Sequence, residues 1–263
     1  MKAKAVLLIG LALLLSVGAV WQPYDPDVVD IARRHAAASL GHPMGTDHLG
    51  RDVLSRVMVG GWRTAAVLMV VSAIGFVGGT GLGTGAAILG GRWEAALLRV
   101  AEVPIILPSL VVAMAAAALF GLGPLSAGLA LGLAGIGPYA LLTHSLTVRV
   151  MAQPYILAAR SMGVAGPALA ARHIFPNVAP TLMVHVGSNA GRTVIAYASL
   201  AFLGLGADTS RPDWGAMLFE YRVFMFDDPA LMAWSGLPIA VCVTILNAIF
   251  DPLRVIQTPR AEA

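Results

Sequence analysis

The chain alternates between long apolar runs and short polar segments, on a length scale set by a lipid bilayer. Crossing the hydrocarbon takes about 20 mostly apolar residues. The pattern predicts six such stretches, at 3–21, 65–88, 97–120, 125–146, 181–205 and 231–253. Glu102 and Arg192 interrupt otherwise clean runs. The first stretch has a rival reading: Lys2 and Lys4, a short apolar run and then Val17-Gly18-Ala19 also fit a cleavable leader. The pattern predicts an all-α, polytopic membrane protein. Gly75, Gly79 and Gly83 recur at every fourth residue, as do Gly81 and Gly85. Small residues at that spacing let membrane helices approach closely, either inside one bundle or between subunits.

Composition agrees. The 263 residues are 58% hydrophobic and 12% charged, with a mean hydropathy of +0.80, where soluble domains carry roughly a quarter charged residues. Both lysines, Lys2 and Lys4, stand at the start. A phosphate-binding loop needs a lysine after its glycines, so this chain is no P-loop ATPase, and ATP-driven work requires another subunit. The lone Cys242 forms no intrachain disulfide and reads as a buried, inert thiol. The net charge of +3, without basic clusters and interleaved aromatics, argues against nucleic acid.

Six spans place both termini on one side. With that side cytoplasmic, Lys2, Lys4, Arg92, Arg99, Arg149, Arg160, Arg172, Arg254 and Arg260 are inside, and Arg33, Arg34, Arg51, Arg56, Arg63, Arg211 and Arg222 outside. Nine against seven favours the orientation by the positive-inside rule.

Two polar segments stand out. Residues 155–177 hold arginines and no acid between apolar spans. Pro154 suits a first helical turn. Gly163 and Gly166-Pro167 then break the run, and Pro167 starts a second short helix ending near Pro176. The small residues Ala158, Ala159 and Gly163 on one side of this helix–bend–helix permit insertion into a cleft of a partner; an ordinary amphipathic interfacial helix is the alternative. In the second segment, 42–56, Gly45-Thr46-Asp47 reads as a turn and helix N-cap, with Asp47 at the positive helix end. Arg51 and Asp52 are expected to pair with loop residues in a structural role.

The spacing Ala158-Ala159, Gly163, Phe175-Pro176 resembles the EAA loop of permease subunits of bacterial ABC importers, with Leu157 where the motif has glutamate and Phe175 where it has leucine. HPMGTDHLGRDVLSR at 42–56 resembles the signature before the second span of peptide/nickel importer permeases of the DppC/OppC/NikC type. SLAFLGLG at 199–206, followed by Pro212, Trp214 and Gly215, resembles the end of their fifth span. The resemblance implies a type I ABC importer permease fold in the bacterial inner membrane, with the first helix retained and both termini cytoplasmic. Residues 1–61 would form the first helix and an extracytoplasmic segment, and 62–263 a five-helix core with a cytoplasmic coupling loop at 147–180. It implies a second homologous permease in a heterodimer, two cytoplasmic ATPases and an extracytoplasmic substrate-binding protein that meets the outer loops at 22–61 and 206–230. The chain itself would need no cofactor, since ATP and Mg belong to the partners, and would be a non-catalytic subunit. Tyr155, Leu157, Ala158, Ala159, Gly163, His173 and Pro176 are the implied ATPase-coupling residues. Cargo would be di- or oligopeptides, or alternatively nickel or a metal chelate.

A mid-membrane arginine costs roughly 2.5–3.5 kcal/mol on insertion scales, so it faces a bundle interior or a water path. Arg192 is therefore expected either to line a translocation path and attract an anionic group such as a peptide carboxylate, or to pair with an acid such as Glu102. Ser188, Asn189 and Tyr197 are the other path candidates, with His185 adding to the polarity of this span. His35, His42 and His48 lack tight ligand spacing and read as loop histidines, not a metal site. No nucleophile–base arrangement supports an intramembrane enzyme, and no symmetry between the two halves supports an ion-coupled secondary transporter.

Overall fold

The computed structural model describes residues 2–164, 166–205 and 211–257. Gly206 and Arg260 lie outside them, and of Lys2, Lys4 and Arg254 only the backbone is described. The helices are α1 (Lys2–Val20), α2 (Val53–Leu89), α3 (Gly91–Ile106), α4 (Ser109–Phe120), α5 (Pro124–Met151), α6 (Pro154–Ser161), α7 (Gly166–Leu169), α8 (Phe175–Phe202), α9 (Trp214–Tyr221) and α10 (Pro229–Gln257). No strand occurs among the described residues.

Each of the six predicted stretches is largely helical. The helices Val53–Leu89, Pro124–Met151 and Pro229–Phe250 are individually long and apolar enough to cross a membrane. The third stretch is not one straight span. It breaks into α3 and α4 with a 93° bend, because Pro108 forces Leu107 into extended backbone (φ −77, ψ 129). α8 has the length of a span but carries His185, Ser188, Asn189 and Arg192, which lower its apolar character.

α2 packs most extensively on α5, and glycines set that contact. A Cβ on Gly79 would stand 2.3 Å from the Tyr139 Cβ, and one on Gly83 2.3 Å from the Ala140 carbonyl oxygen. The Gly75–Gly79–Gly83 stripe is therefore internal packing. The second stripe differs: a Cβ on Gly81 would meet nothing within 4 Å, and Gly81 and Gly85 border an open apolar groove with Gly166, Pro167 and Phe175.

These contacts also fix direction. Gly75 meets Gly135 and Tyr139 while Gly83 meets His144, so α2 and α5 run parallel, and the bent α3–α4 pair returns the chain between them. Gly187 meets Phe250 and Gly191 meets Asn247, so α8 and α10 run antiparallel. Gly18 meets Met58, which places the end of α1 beside the start of α2. One end of the bundle, the hairpin end, thus gathers 21–52, 121–123, 203–205 and 211–228. The opposite end gathers the start of α1, the end of α10 and residues 152–164 and 166–174. Both helical termini share the α6 end.

α2 begins at Val53, twelve residues before the predicted 65, so a division at 61/62 falls inside a helix. Arg56 and Arg63 disguise this first part as polar loop. In the fold Arg56 is 1% exposed, its charge met by acids from outside α2.

Candidate functional site

At the hairpin end, the residues of 42–56 are bound to one another and to α9. Asp47 is buried; its carboxylate accepts from Arg51 Nε (2.7 Å), from Tyr221 Oη (3.0 Å) and from the backbone N–H groups of Leu49 and Arg51. Glu220 closes the network, taking Arg51 and, at 3.0 Å, Arg56 Nη2. Burial raises the Asp47 carboxyl, but the Arg51 and Arg56 guanidinia and the two backbone donors outweigh it and hold it below its ordinary range. Asp47 is not the helix N-cap. That role falls to Asp52, which accepts from Ser55 N at 2.8 Å and holds His42 Nδ1 at 2.8 Å. Arg51 and Asp52 each find partners within the chain, Arg51 in Asp47 and in Glu220 of α9, and Asp52 in His42.

The P-x-W-G segment is equally internal. Asp213 caps α9 through the N–H groups of Gly215 and Ala216 and accepts from Tyr197 Oη at 2.9 Å; burial pushes its carboxyl up. Trp214 Nε1 donates to the Val57 carbonyl at 2.8 Å. These bonds tie α9 to α2 and α8. Tyr197, 2% exposed, is accordingly a packing residue and not a wall of an open path. Ser188 is also buried, donating to the His185 carbonyl.

Asp47, His48 and Glu220 bring ligand-type atoms within 4.8 Å of one another, but both carboxylates are already committed to Arg51 and Arg56. The His48 ring stacks on Phe224 with centroids 4.8 Å apart, and burial lowers its pKa. His35 holds Asp228 at 3.0 Å.

At the opposite end, α6 starts with Pro154 at its first position, after Gln153 in extended backbone. Its closure is a Schellman turn: Val164 N bonds to the Ala159 carbonyl (3.1 Å) and Gly163 N to that of Arg160 (2.9 Å). The turn needs a left-handed residue, and Gly163 supplies it at φ +82. Ile156 and Ala159 face inward, at 0% and 3% exposure, against Leu169, Ile174, Val178 and Leu182. Ala159 is therefore an anchor and does not share an outward face with Ala158. The outward side carries Tyr155, Leu157, Ala158, Arg160, Ser161 and Met162. Leu157 is 54% and Met162 78% exposed.

The second short helix does not end near Pro176. α7 passes through a π-turn at Ala170–Ile174 into α8. Pro176 cannot donate to the preceding turn; the wider π-turn accommodates it, and Asn177 Nδ2 supplies a donor to the His173 carbonyl at 2.7 Å. His173 is half-buried and Pro176 exposed at this junction. Arg92, Arg149, Arg160 and Arg172 are exposed at this end. Nearby, His144 Nε2 meets Glu94 at 2.7 Å, joining α5 to α3.

Arg192 and Asn189 do come together, on a small cavity between α2, α5 and α8 that also involves Ser72 and Tyr139, which the sequence pattern did not single out. Arg192 is exposed, and among the described residues it makes no ion pair with Glu102.

Among the described residues the chain is thus an all-helical bundle with helices long enough to cross a membrane, a polar cavity between α2, α5 and α8, and an anchored, outward-facing helix at one end. The chain belongs to the family of binding-protein-dependent transport system inner membrane components, whose model matches residues 79–263, and it is a multi-pass inner-membrane permease of an ABC importer. It is 33% identical to the probable D,D-dipeptide transport system permease protein DdpC of Escherichia coli (strain K12), across 98% of this chain and 87% of that one. It is 31% identical to the nickel transport system permease protein NikC of the same strain, across 93% and 88%. It is 33% identical to the glutathione transport system permease protein GsiD of Escherichia coli O157:H7, across 100% and 87%. In fold it is similar to a chain of the inward-facing MetNI methionine ABC transporter, with a TM-score of 0.62 over 76% of this chain and 95% of that one at 15% identity.

Proposed function

We propose that this chain is a non-catalytic permease subunit that imports small peptides, and that α6 is the helix through which a cytoplasmic ATPase drives it. The observation that carries this reading is the division of α6: Ile156 and Ala159 lock it to the bundle, while Leu157 and Met162 present exposed apolar side chains on its outward side. Push on such a helix moves α5 and α8 rather than bending a loop. The exposed arginines around it favour a cytoplasmic location for this end and suit an acidic rim on the ATPase. Leu157 replaces the motif glutamate, so shape rather than charge governs the central contact.

In this reading the partner permease is homologous, two ATPases hold ATP and Mg, and a loaded binding protein meets the hairpin end. ATP-driven closure rocks the helices as rigid bodies between inward- and outward-open states. Peptide cargo follows from relatives named for a D,D-dipeptide and for glutathione; a relative named for nickel supplies the alternative.

Gly163→Asp tests the coupling role. It places a side chain and a charge on the left-handed turn, where an added Cβ meets nothing within 4 Å but the φ of +82 strains it by about 1–2 kcal/mol, so abundance and insertion are measured beside uptake. ATP-driven uptake by the reconstituted importer is expected to fall about tenfold. Unchanged uptake would count against α6 as the coupling element.

A further inference from the structure

A small polar cavity lies between α2, α5 and α8. Arg192 lies well inside α8, Tyr139 near the middle of α5 and Ser72 near the middle of α2. Three helices thus bring polar side chains to one level of the bundle, where hydrocarbon would leave them unsatisfied. The cavity measures about 170 Å³. Whole small-molecule sites run roughly 300–1,000 Å³, so this one suits the end group of a ligand and not all of it.

Its chemistry has one sign. Arg192 is exposed on it with no acid among its lining residues, and no imidazole or thiol lines it either. Tyr139 and Asn189 both line it, and Thr193 is turned back to the Asn189 carbonyl at 3.1 Å. What remains for a ligand is the planar fork of a guanidinium, with the Ser72 hydroxyl, Tyr139 and Asn189 beside it. A fork of that geometry bonds a carboxylate bidentately. A bare divalent cation finds a like charge there and no carboxylate, imidazole or thiolate.

We infer that Arg192, with Ser72, Tyr139 and Asn189, forms a transient subsite for the terminal carboxylate of a peptide in transit. This rests on the importer reading above and selects, within it, peptides over a free metal ion.

The test uses the complete importer in proteoliposomes, with dialanine in its D,D and L,L forms, their C-terminal amides, glutathione and Ni²⁺ as probes. The same binding protein serves every permease variant, so a change in the acid-to-amide uptake ratio reports on the permease. Arg192→Gln should lower free-acid uptake by about tenfold or more, the size of a lost charge-assisted hydrogen-bond pair, and change amide uptake by less than about twofold. Arg192→Lys keeps the charge, loses the fork and should fall between the two. Equal losses for acid and amide would overturn the subsite, as expected if Arg192 instead pairs with an acid of the partner permease. Wild-type uptake of Ni²⁺ without any peptide, or of none of the probes, would overturn it too. Peptide uptake that keeps the Arg192 effect but needs no ATP would sink the importer reading and leave the subsite standing.

Discussion

Asp47→Ala is expected to cost about 3–5 kcal/mol of stability, as removal of one partner from a buried ion pair does. The reason is what the change leaves behind. Arg56 is 1% exposed and Arg51 5%, so neither guanidinium reaches water, and Glu220 alone would face both. Tyr221 Oη and two backbone N–H groups would lose their acceptor as well. The hairpin end should loosen as a unit, since the same residues join 42–56 to α2 and α9. Denaturant or thermal unfolding in detergent measures the loss. Its pH dependence follows from the sign of the Asp47 shift. A carboxyl held below its ordinary value near 3.8 stabilises the fold fully above that value and stops doing so as pH falls through the lower, folded one. The Asp47→Ala deficit should therefore be flat from about pH 5 to 8 and shrink only in strong acid. A loss under about 1 kcal/mol would mean that the cluster behaves as a solvated surface pair.

Leu157→Asp combined with Met162→Asp should have the opposite profile, with little effect on folding and a large one on coupling. Both side chains are exposed on the outward side, and surface changes of that kind usually fall within about 0.5 kcal/mol. If the ATPase seats this face, two buried charges would disrupt the contact, and stimulation of ATP hydrolysis by the permease with loaded binding protein should fall by about tenfold or more. Ala159→Asp is the contrasting control. It drives a charge into the Ile156–Leu182 core and should destabilise the chain itself. Full stimulation by the Leu157/Met162 double variant would remove α6 from the mechanism.

The helical spans were legible because a bilayer imposes a length on apolar runs, and Pro154 and Gly163 announced the bounds of α6 by turn chemistry alone. The division of α6 into anchored and outward faces was not legible. Ala158 and Ala159 look alike in sequence, and only the position of α8 decides which is buried. The same holds for Tyr197, whose polarity suggested a water path until Asp213, sixteen residues on, supplied its partner. Asp47 resembled a cap because it follows a turn; the true cap, Asp52, was distinguishable only once α2 was known to start at Val53. Glu220 has a signal in the sequence: two arginines so close to an apolar helix need more carboxylate than Asp47 offers. Tyr139 and Ser72 had none, since each is one polar residue in an apolar run until Arg192 stands opposite.

The claim that α6 is where the ATPase engages can be tested by site-directed cross-linking. Cys242, the single cysteine, is buried at 3% exposure, so Cys242→Ala gives a thiol-free background. In the assembled importer, Met162→Cys is predicted to cross-link to a single cysteine placed on the nucleotide-binding subunit, and Ile156→Cys, facing the core, is not. Cross-links to that subunit from Phe226→Cys at the hairpin end, with none from Met162→Cys, would contradict the account.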